Sequence, residues 1–398
     1  MTRMYAYERE PYLRELATSV VEIGRDGERV FAIVADTILY PEGGGQPGDR
    51  GALGDAAATD VQRVGGLVRH YLERPIPLGP VTVTLDWRRR FDHMQQHTAQ
   101  HLLTAIADDR FGWPTTAFHL GEETCDIELA VERLAQVELD LLEDAVAAEI
   151  RAARPVSTRH VAAERLGALP VRTRGLPEGH EGDVRLVEIA GVDLNTCGGT
   201  HVRSSAEIEA LKLLGTEPMR GGTRLFFAAG RRLRARLGEH EARCAALRTI
   251  LGAPDAGLAE AAQAKLDQLH LAEKQARDLE DEFTEALAES LAAEREAVVE
   301  HHFDGRDAAF LQRVARRLGE RAPGKIALLT ATRGGQSFFV VAVGEALTLD
   351  VQALGRDVAA RLQGRGGGTG RVFQGRAGSL AGRAEIVSRL RALVHGIV

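Results

Sequence analysis

Two short stretches carry residues with chemistry in them. "FDHMQQHTAQHLL", Phe91 to Leu103, sets His97 and His101 four positions apart, and "LNTCGGTHVR", Leu194 to Arg203, does the same for Cys197 and His201. Residues four apart on a helix share one face, so His97 and His101 would project side by side, as two imidazoles must to grip one metal ion. Alone, such a pair serves equally well as a hydrogen-bonded part of a core. The second pair tips the balance. Cys197 and His201 flank Gly198-Gly199-Thr200, a turn whose glycines, free to take positive φ, could aim both side chains at one point. A thiolate with three imidazoles is a borderline-soft donor set that suits Zn²⁺. A zinc protease would need a glutamate beside the first histidine, but Thr98 stands there and no acid lies between the two histidines. A Cys197 nucleophile activated by His201 is the other reading, and a thiol bound to zinc is not free for it.

Such pairs need elements to position them. Residues 1–87 read as short strands: Ser19–Ala35 has β-branched runs around Arg25-Asp26-Gly27, and a second hairpin turns at Gly65-Gly66. Between them lies "TILYPEGGGQPGDRG", turn-rich, with Gly43, Gly44 and Gly45 in a row. Many short strands with Gly/Pro turns predict a small barrel. Phe91–Asp108, without Gly or Pro, predicts a helix, and Glu132–Arg151 a second by its 3.6-residue periodicity. "DVRLVEIAGVDL", "IEALKLL" and "TRLFFAAG" read as strands.

Residues 231–300 have few Gly or Pro outside "LGAPDAG". Apolar residues at Leu269, Ala272, Ala276, Leu279, Phe283 and Ala286 alternate threes and fours, which predicts an antiparallel helical hairpin turning near Pro254; a long solvated helix is the alternative. Helix and strand patterns then alternate to residue 398. The whole reads as an α+β multidomain chain. It comprises an N-terminal small β-barrel (1–87), an α+β zinc-containing domain (88–230), the helical hairpin (231–300) and a C-terminal small α/β domain (301–398).

The bulk properties narrow the setting. The chain has 398 residues, 44% hydrophobic and 27% charged, an ordinary globular balance. Its longest apolar runs, such as Phe338–Val343, are far too short to span a bilayer, so no membrane partner is expected. The charged N-terminus has no signal-peptide core. Three scattered cysteines, Cys125, Cys197 and Cys244, make no disulfide framework and point to a reduced cytoplasmic setting. A net charge of −7 argues against nucleic acid on its face. Between Arg361 and Arg391, however, seven arginines face one acid, Glu385, around "GRGGGTGRVFQGRAGSLAGR". A flexible basic glycine-rich loop lets backbone amides and Arg365, Arg371 and Arg376 approach phosphates.

Together, "HTAQHLL" and "CGGTHV" resemble the editing domain of alanyl-tRNA synthetases and the free-standing alanyl-tRNA editing proteins (AlaX, long form). "TILYPEGGGQPGDRG" is similar to that family's glycine-rich barrel segment, and "GGGTGRVFQGRAG" to the C-terminal domain signature of the synthetase. The resemblance covers nearly the whole chain, in order. It implies that His97, His101, Cys197 and His201 hold zinc, and that Thr98, His119 and the Gly43–Gly45 segment lie near the substrate, Thr98 contacting a serine hydroxyl. No aminoacylation core is expected ahead of the barrel. The function implied is a trans-acting, ATP-independent hydrolase that removes serine, and also glycine, from mischarged alanine tRNA, with serine the better substrate. No residue stands out as a general base, and whether zinc is catalytic or positional stays open. A zinc-stabilised tRNA-binding module without catalysis, or a zinc hydrolase on another substrate, is the rival reading. A homodimer through the helical hairpin or C-terminal domain is a further expectation.

Overall fold

The structure is a computed structural model describing residues 4–173 and 182–395. It divides into two compact units, Met1–Ala246 and Leu247–Val398.

In the first unit, a short helix α1 (Ala6–Arg9) precedes six strands: β1 (Glu15–Asp26), β2 (Arg29–Val34), β3 (Gly51–Leu53), β4 (Ala56–Val64), β5 (Leu67–Leu72) and β6 (Gly79–Leu85). They close into a barrel in the order β1-β2-β5-β4-β3-β6, as the hairpin signals predict. Inward residues such as Ile38, Leu39, Val61 and Val83 fill it. Closure leaves no strand edge unpaired, which suits so small a sheet.

Helix α2 (Trp87–Phe111) leaves the barrel directly, four residues earlier than the pattern predicts. Asp86 caps it by accepting from the Arg89 amide at 3.1 Å, and Gly112, at φ 68°, ends it in the left-handed conformation that glycine tolerates best. Most of α2 is buried, polar residues included. Two of those side chains are matched by backbone. Gln96 brackets Ala229, accepting from its N–H and donating to its carbonyl, while Gln95 does likewise with Arg231 and Glu207. Around α2 come β7 (Thr115–Leu120), β8 (Cys125–Leu129), helix α3 (Gln136–Arg151), β9 (Val156–Ala162), β10 (Asp183–Ile189), β11 (Asp193–Thr196), β12 (Leu211–Met219) and β13 (Gly222–Ala229). Two antiparallel sheets result, β11-β10-β9 and β12-β13-β8-β7. Leu102, Ile106, Leu142, Val146, Leu225 and Phe227 form the shared core. The segment read as one strand, "IEALKLL", splits: Ser205–Ile208 is a 3-10 turn and only Leu211 onward is strand.

One buried ion pair fastens α2 to the barrel. The Arg90 guanidinium, fully buried, donates to both oxygens of the equally buried Asp49, to the Ile38 carbonyl at 2.6 Å and to the Pro11 carbonyl at 2.8 Å. All three guanidinium nitrogens donate, the kind of satisfaction under which a buried pair is tolerated.

Helices α4 (Gly230–Leu251) and α5 (Leu258–Ala292) follow, with the break at Gly252–Gly257 around Pro254. The alternating apolar seam of α5 lies exposed from Leu269 to Phe283, whereas Thr284, Ala288 and Leu291 are buried. The second unit's sheet runs β14-β15-β16-β18-β17, from β14 (Val298–Asp304), β15 (Ile326–Arg333), β16 (Gln336–Val343), β17 (Arg365–Thr369) and β18 (Val372–Ala377). Its helices are α6 (Ala308–Arg321), α7 (Val351–Arg361) and α8 (Arg383–His395). The glycine-rich stretch is no flexible loop. It is the β17–β18 hairpin, and Gly366, Gly368 and Gly375 answer to crowding: a Cβ on Gly368 would meet the Val372 carbonyl at 2.1 Å.

Candidate metal centre

The four residues at the two i,i+4 spacings converge. The ligand atoms of His97, His101, Cys197 and His201 all lie within 4.8 Å of one another. Cys197 Sγ stands 3.4 Å from both His97 Nε2 and His201 Nε2. His97 and His101 come from one face of α2, while Cys197 and His201 come from the loop after β11.

Each imidazole is oriented from behind through Nδ1. His97 donates to Gln46 Oε1 at 2.9 Å, His101 to the Asp193 carboxylate at 2.9 Å, and His201 Nδ1 lies 3.1 Å from Thr98 Oγ1. Gln46 Oε1 and the carboxylate can only accept, so Nδ1 carries the proton and Nε2 keeps its lone pair for the centre. Outer partners of this kind fix ring orientation in metal sites and strengthen the ligands. Three buried imidazoles with inward lone pairs and a half-buried thiol fit a zinc ion, as the chemistry of the donors requires.

Electrostatics ready the Cys197 thiolate and a neutral His201, whereas His101 must give up a proton before its Nε2 can hold a metal ion. Burial opposes ionisation of Cys197, yet His97, His201 and His101 bring its thiol well below the usual value. Burial pushes His201 down to about 3. Burial also works against a charged His101, but Asp193 and Cys197 hold it up at about 10.

Gln46 is the residue that sequence reasoning missed. It sits after Gly43–Gly45, where Gly44 (φ 56°) and Gly45 (φ 81°) turn the chain and Gly43 and Gln46 exchange backbone hydrogen bonds of 3.1 and 3.0 Å. Besides holding His97, its side chain accepts from the Thr200 amide at 3.0 Å and donates to Thr200 Oγ1 at 2.9 Å. One barrel residue thus grips both halves of the centre. The run of three glycines drew attention; the glutamine beside it carries the contact. Asp193, which bridges His101 and Arg172, had no signal in a single sequence either.

The "CGGT" loop bends by another route than positive φ. Neither Gly198 nor Gly199 takes it; instead a Cβ on Gly199 would meet His97 Cε1 at 2.3 Å. Arg185 straps the loop by donating to the Cys197 and Gly199 carbonyls at 2.7 and 2.8 Å.

The centre opens into a cleft of about 700 Å³. Gly44, Gly45 and Phe118 wall one side, and Arg172, Asn195 and Gly198 another. Two expected substrate contacts move. Thr98 is fully buried and does not line the cleft, because its hydroxyl is engaged by His201 and the Val202 amide. His119 alternates away from Phe118 on β7, is exposed, and pairs with Asp126 at 2.9 Å. Gln100, unremarked in the sequence, lines the cleft between the two α2 histidines. Its Nε2 donates to Thr104 Oγ1 at 2.9 Å, but its buried Oε1 has no hydrogen-bond partner among the described residues.

In the second unit, Arg365 and Arg376 are exposed and face each other across the β17–β18 pair. Arg371 does not join them: its guanidinium donates to the Gly344 and Leu347 carbonyls, and it fastens the hairpin turn.

The fold and centre of the first unit place the chain among proteins bearing a domain of tRNA synthetases: residues 184–226 match the family model for the threonyl and alanyl tRNA synthetase second additional domain. Three relatives extend the match. The chain is 34% identical over 404 residues to alanyl-tRNA editing protein Aarsd1 of Rattus norvegicus, covering 97% of each. It is 28% identical over 394 residues to alanyl-tRNA editing protein AlaX-L of Pyrococcus horikoshii, covering 93% of each. It is 32% identical over 313 residues to the alanine–tRNA ligase of Pyrobaculum neutrophilum, covering 74% of this chain and 34% of the ligase. The chain belongs to the alanyl-tRNA editing protein family. No helix among the described residues is long and apolar enough to cross a membrane.

Proposed function

We propose that this protein is a trans-acting, zinc-containing aminoacyl-tRNA deacylase that hydrolyses serine, and less well glycine, from mischarged alanine tRNA. The observation that carries the reading is the convergence of His97, His101, Cys197 and His201 at the floor of an open cleft, each histidine oriented through Nδ1. Zinc held by these four would polarise the ester carbonyl or anchor the substrate's amino group. The protein's own contribution is positional. Gln46, Asp193 and Thr98 fix the ligands, and Phe118 with the Gly44-Gly45 turn forms a wall against solvent. Asp108, a carboxylate in the cleft lining, is tied to Arg172 at 2.7 Å, and no general base is assigned.

Selectivity falls to Gln100. Serine exceeds alanine by one hydroxyl, and the orphaned Gln100 Oε1 is an acceptor waiting in the cleft wall. With alanine bound, that oxygen would stay unpaired, a penalty of about 1–3 kcal/mol. Glycine lacks the same hydroxyl, so serine is the better substrate. Arg365 and Arg376 supply a separate phosphate contact for the tRNA.

The test is release of labelled amino acid from Ser-, Gly- and Ala-tRNA(Ala) by purified protein. Rapid loss of serine, slower loss of glycine and sparing of alanine is the expected order. Binding of tRNA without release would make the protein a non-catalytic module, and hydrolysis of esters that ignores the tRNA would make it a different hydrolase.

A further inference from the structure

Five arginines against three carboxylates line a second cavity of about 420 Å³ in the first unit. In a chain of net charge −7 this is a local reversal, and much of it is unneutralised. Arg232 is committed to Asp92, through bonds of 2.9 and 2.8 Å, and Asp86 caps α2. Arg89 donates to the Gly48 carbonyl at 3.1 Å; burial, then Arg50 beside it, lowers its pKa. Arg50, Arg88 and Arg231 have no ion-pair partner among the described residues.

His93 adds a second sign of a missing anion. It lines the cavity at 3% exposure, and its Nδ1 has no hydrogen-bond partner among the described residues. Burial, then Arg89, pushes it down to about 3, so the ring is neutral and its one N–H can donate. A buried imidazole left unpaired is costly, and a cradle of planar guanidinium forks suits the oxygens of a phosphate.

The cavity's place says which phosphate. The segment from Gly44 to Arg50 and the segment from Phe118 to Glu122 wall both cavities: Gly44, Gly45 and Phe118 line the metal cleft, while Arg50 and Glu122 line this one. On α2, Arg89 precedes His97 by eight residues, roughly 12 Å along the axis. A strand with its 3′ end at the centre reaches the arginines after a short run of backbone.

We propose that this cavity binds a backbone phosphate of the RNA whose esterified 3′ end occupies the metal cleft. The assignment rests on the editing reading and gives the first unit its own hold on the nucleic acid.

The test compares intact protein with a triple variant, Arg50→Gln, Arg88→Gln and Arg231→Gln, by titrating fluorescent tRNA(Ala) across salt concentrations. The variant should bind more weakly, with a log K against log salt slope shallower by roughly 0.7 to 0.9, the worth of one phosphate contact. On Ser-tRNA(Ala) its loss should fall on KM rather than kcat. The triple lysine variant should restore most of the slope, which a merely misfolded protein would not. Equal binding by the glutamine variant and the unaltered protein at every salt concentration overturns the cavity assignment and leaves editing intact. If the unaltered protein neither binds nor deacylates Ser-tRNA(Ala), the editing reading fails and the cavity assignment falls with it.

Discussion

Gln46 and His97 meet across the seam between the barrel and α2, with Gln46 Oε1 2.9 Å from His97 Nδ1 and 3.0 Å from the Thr200 amide. A residue 51 positions before the first ligand therefore sets the ring of that ligand and the loop of the last. The centre belongs to the barrel as much as to the helix.

Replacing Gln46 with alanine should lower zinc affinity by about 10–100-fold, the usual cost of losing an outer partner. Competition with a chelator measures this. Gln46→Glu should keep part of the affinity, because a carboxylate still accepts from His97; equal zinc affinity in wild type and alanine variant would remove Gln46 from the site.

Protein purified without added metal should carry one zinc per chain, and His101→Ala should lose it. Elemental analysis decides. Two of the cysteines should also separate chemically once zinc is stripped. Cys197, its thiol held low, should alkylate at neutral pH, whereas Cys125, fully buried and pushed up to about 12, should not. Zinc should protect Cys197, and mass spectrometry of the labelled peptides reads the difference.

Gln100→Leu should reduce kcat/KM for Ser-tRNA(Ala) by roughly 10–200-fold, the worth of about 1–3 kcal/mol in one contact. Gly-tRNA(Ala), without the hydroxyl, should be nearly unaffected. If both substrates fall equally, Gln100 shapes the cleft and does not read serine.

Acid should weaken the barrel through His70. Its Nδ1 donates to the Ala32 carbonyl at 3.1 Å, its Nε2 meets Thr37 Oγ1 at 2.8 Å, and burial lowers its pKa from 6.5 to about 4. The unfolded chain takes up the proton first as pH falls. Its contribution is thus full above about 6.5 and lost between there and about 4, on the order of 3 kcal/mol. His70→Gln should flatten that slope. Both tryptophans, Trp87 and Trp113, lie in the first unit, so fluorescence-monitored urea unfolding follows this transition.

What the sequence discloses here is periodicity, and what it hides is partnership. The i,i+4 histidines announce both a helix and a face, and the turns at Gly27 and Gly65-Gly66 announce barrel hairpins. Gln46 and Asp193 have no such pattern, because they act through contacts made across long stretches of chain, and Gln100 has none because only its place in the cleft wall marks it out. The glycine-rich run after Arg365 misleads for the opposite reason: composition suggests flexibility, while Gly366, Gly368 and Gly375 let two strands pack closely. Strand β14 escapes notice because Glu300, His301 and His302 interrupt its apolar alternation, and its parallel partner β15 lies more than twenty residues away.

The donor set is split along the chain, and that gives the protein a timetable. During synthesis the barrel, Gln46 and the α2 histidines emerge together, with Arg90 able to close on Asp49 as soon as the helix begins. Cys197 and His201 appear nearly a hundred residues later, which at about 5–20 residues per second is a wait of roughly 5 to 20 s. Until then the ribosome displays two nitrogens on a finished helix, a weak grip for any ion. The grip becomes fourfold only when the loop after β11 swings in and Thr200 finds Gln46. Metal bound by all four would thus be acquired only after His201 has emerged, late in the first unit's synthesis, and a nascent chain stalled short of Cys197 would be a scavenger with half a hand.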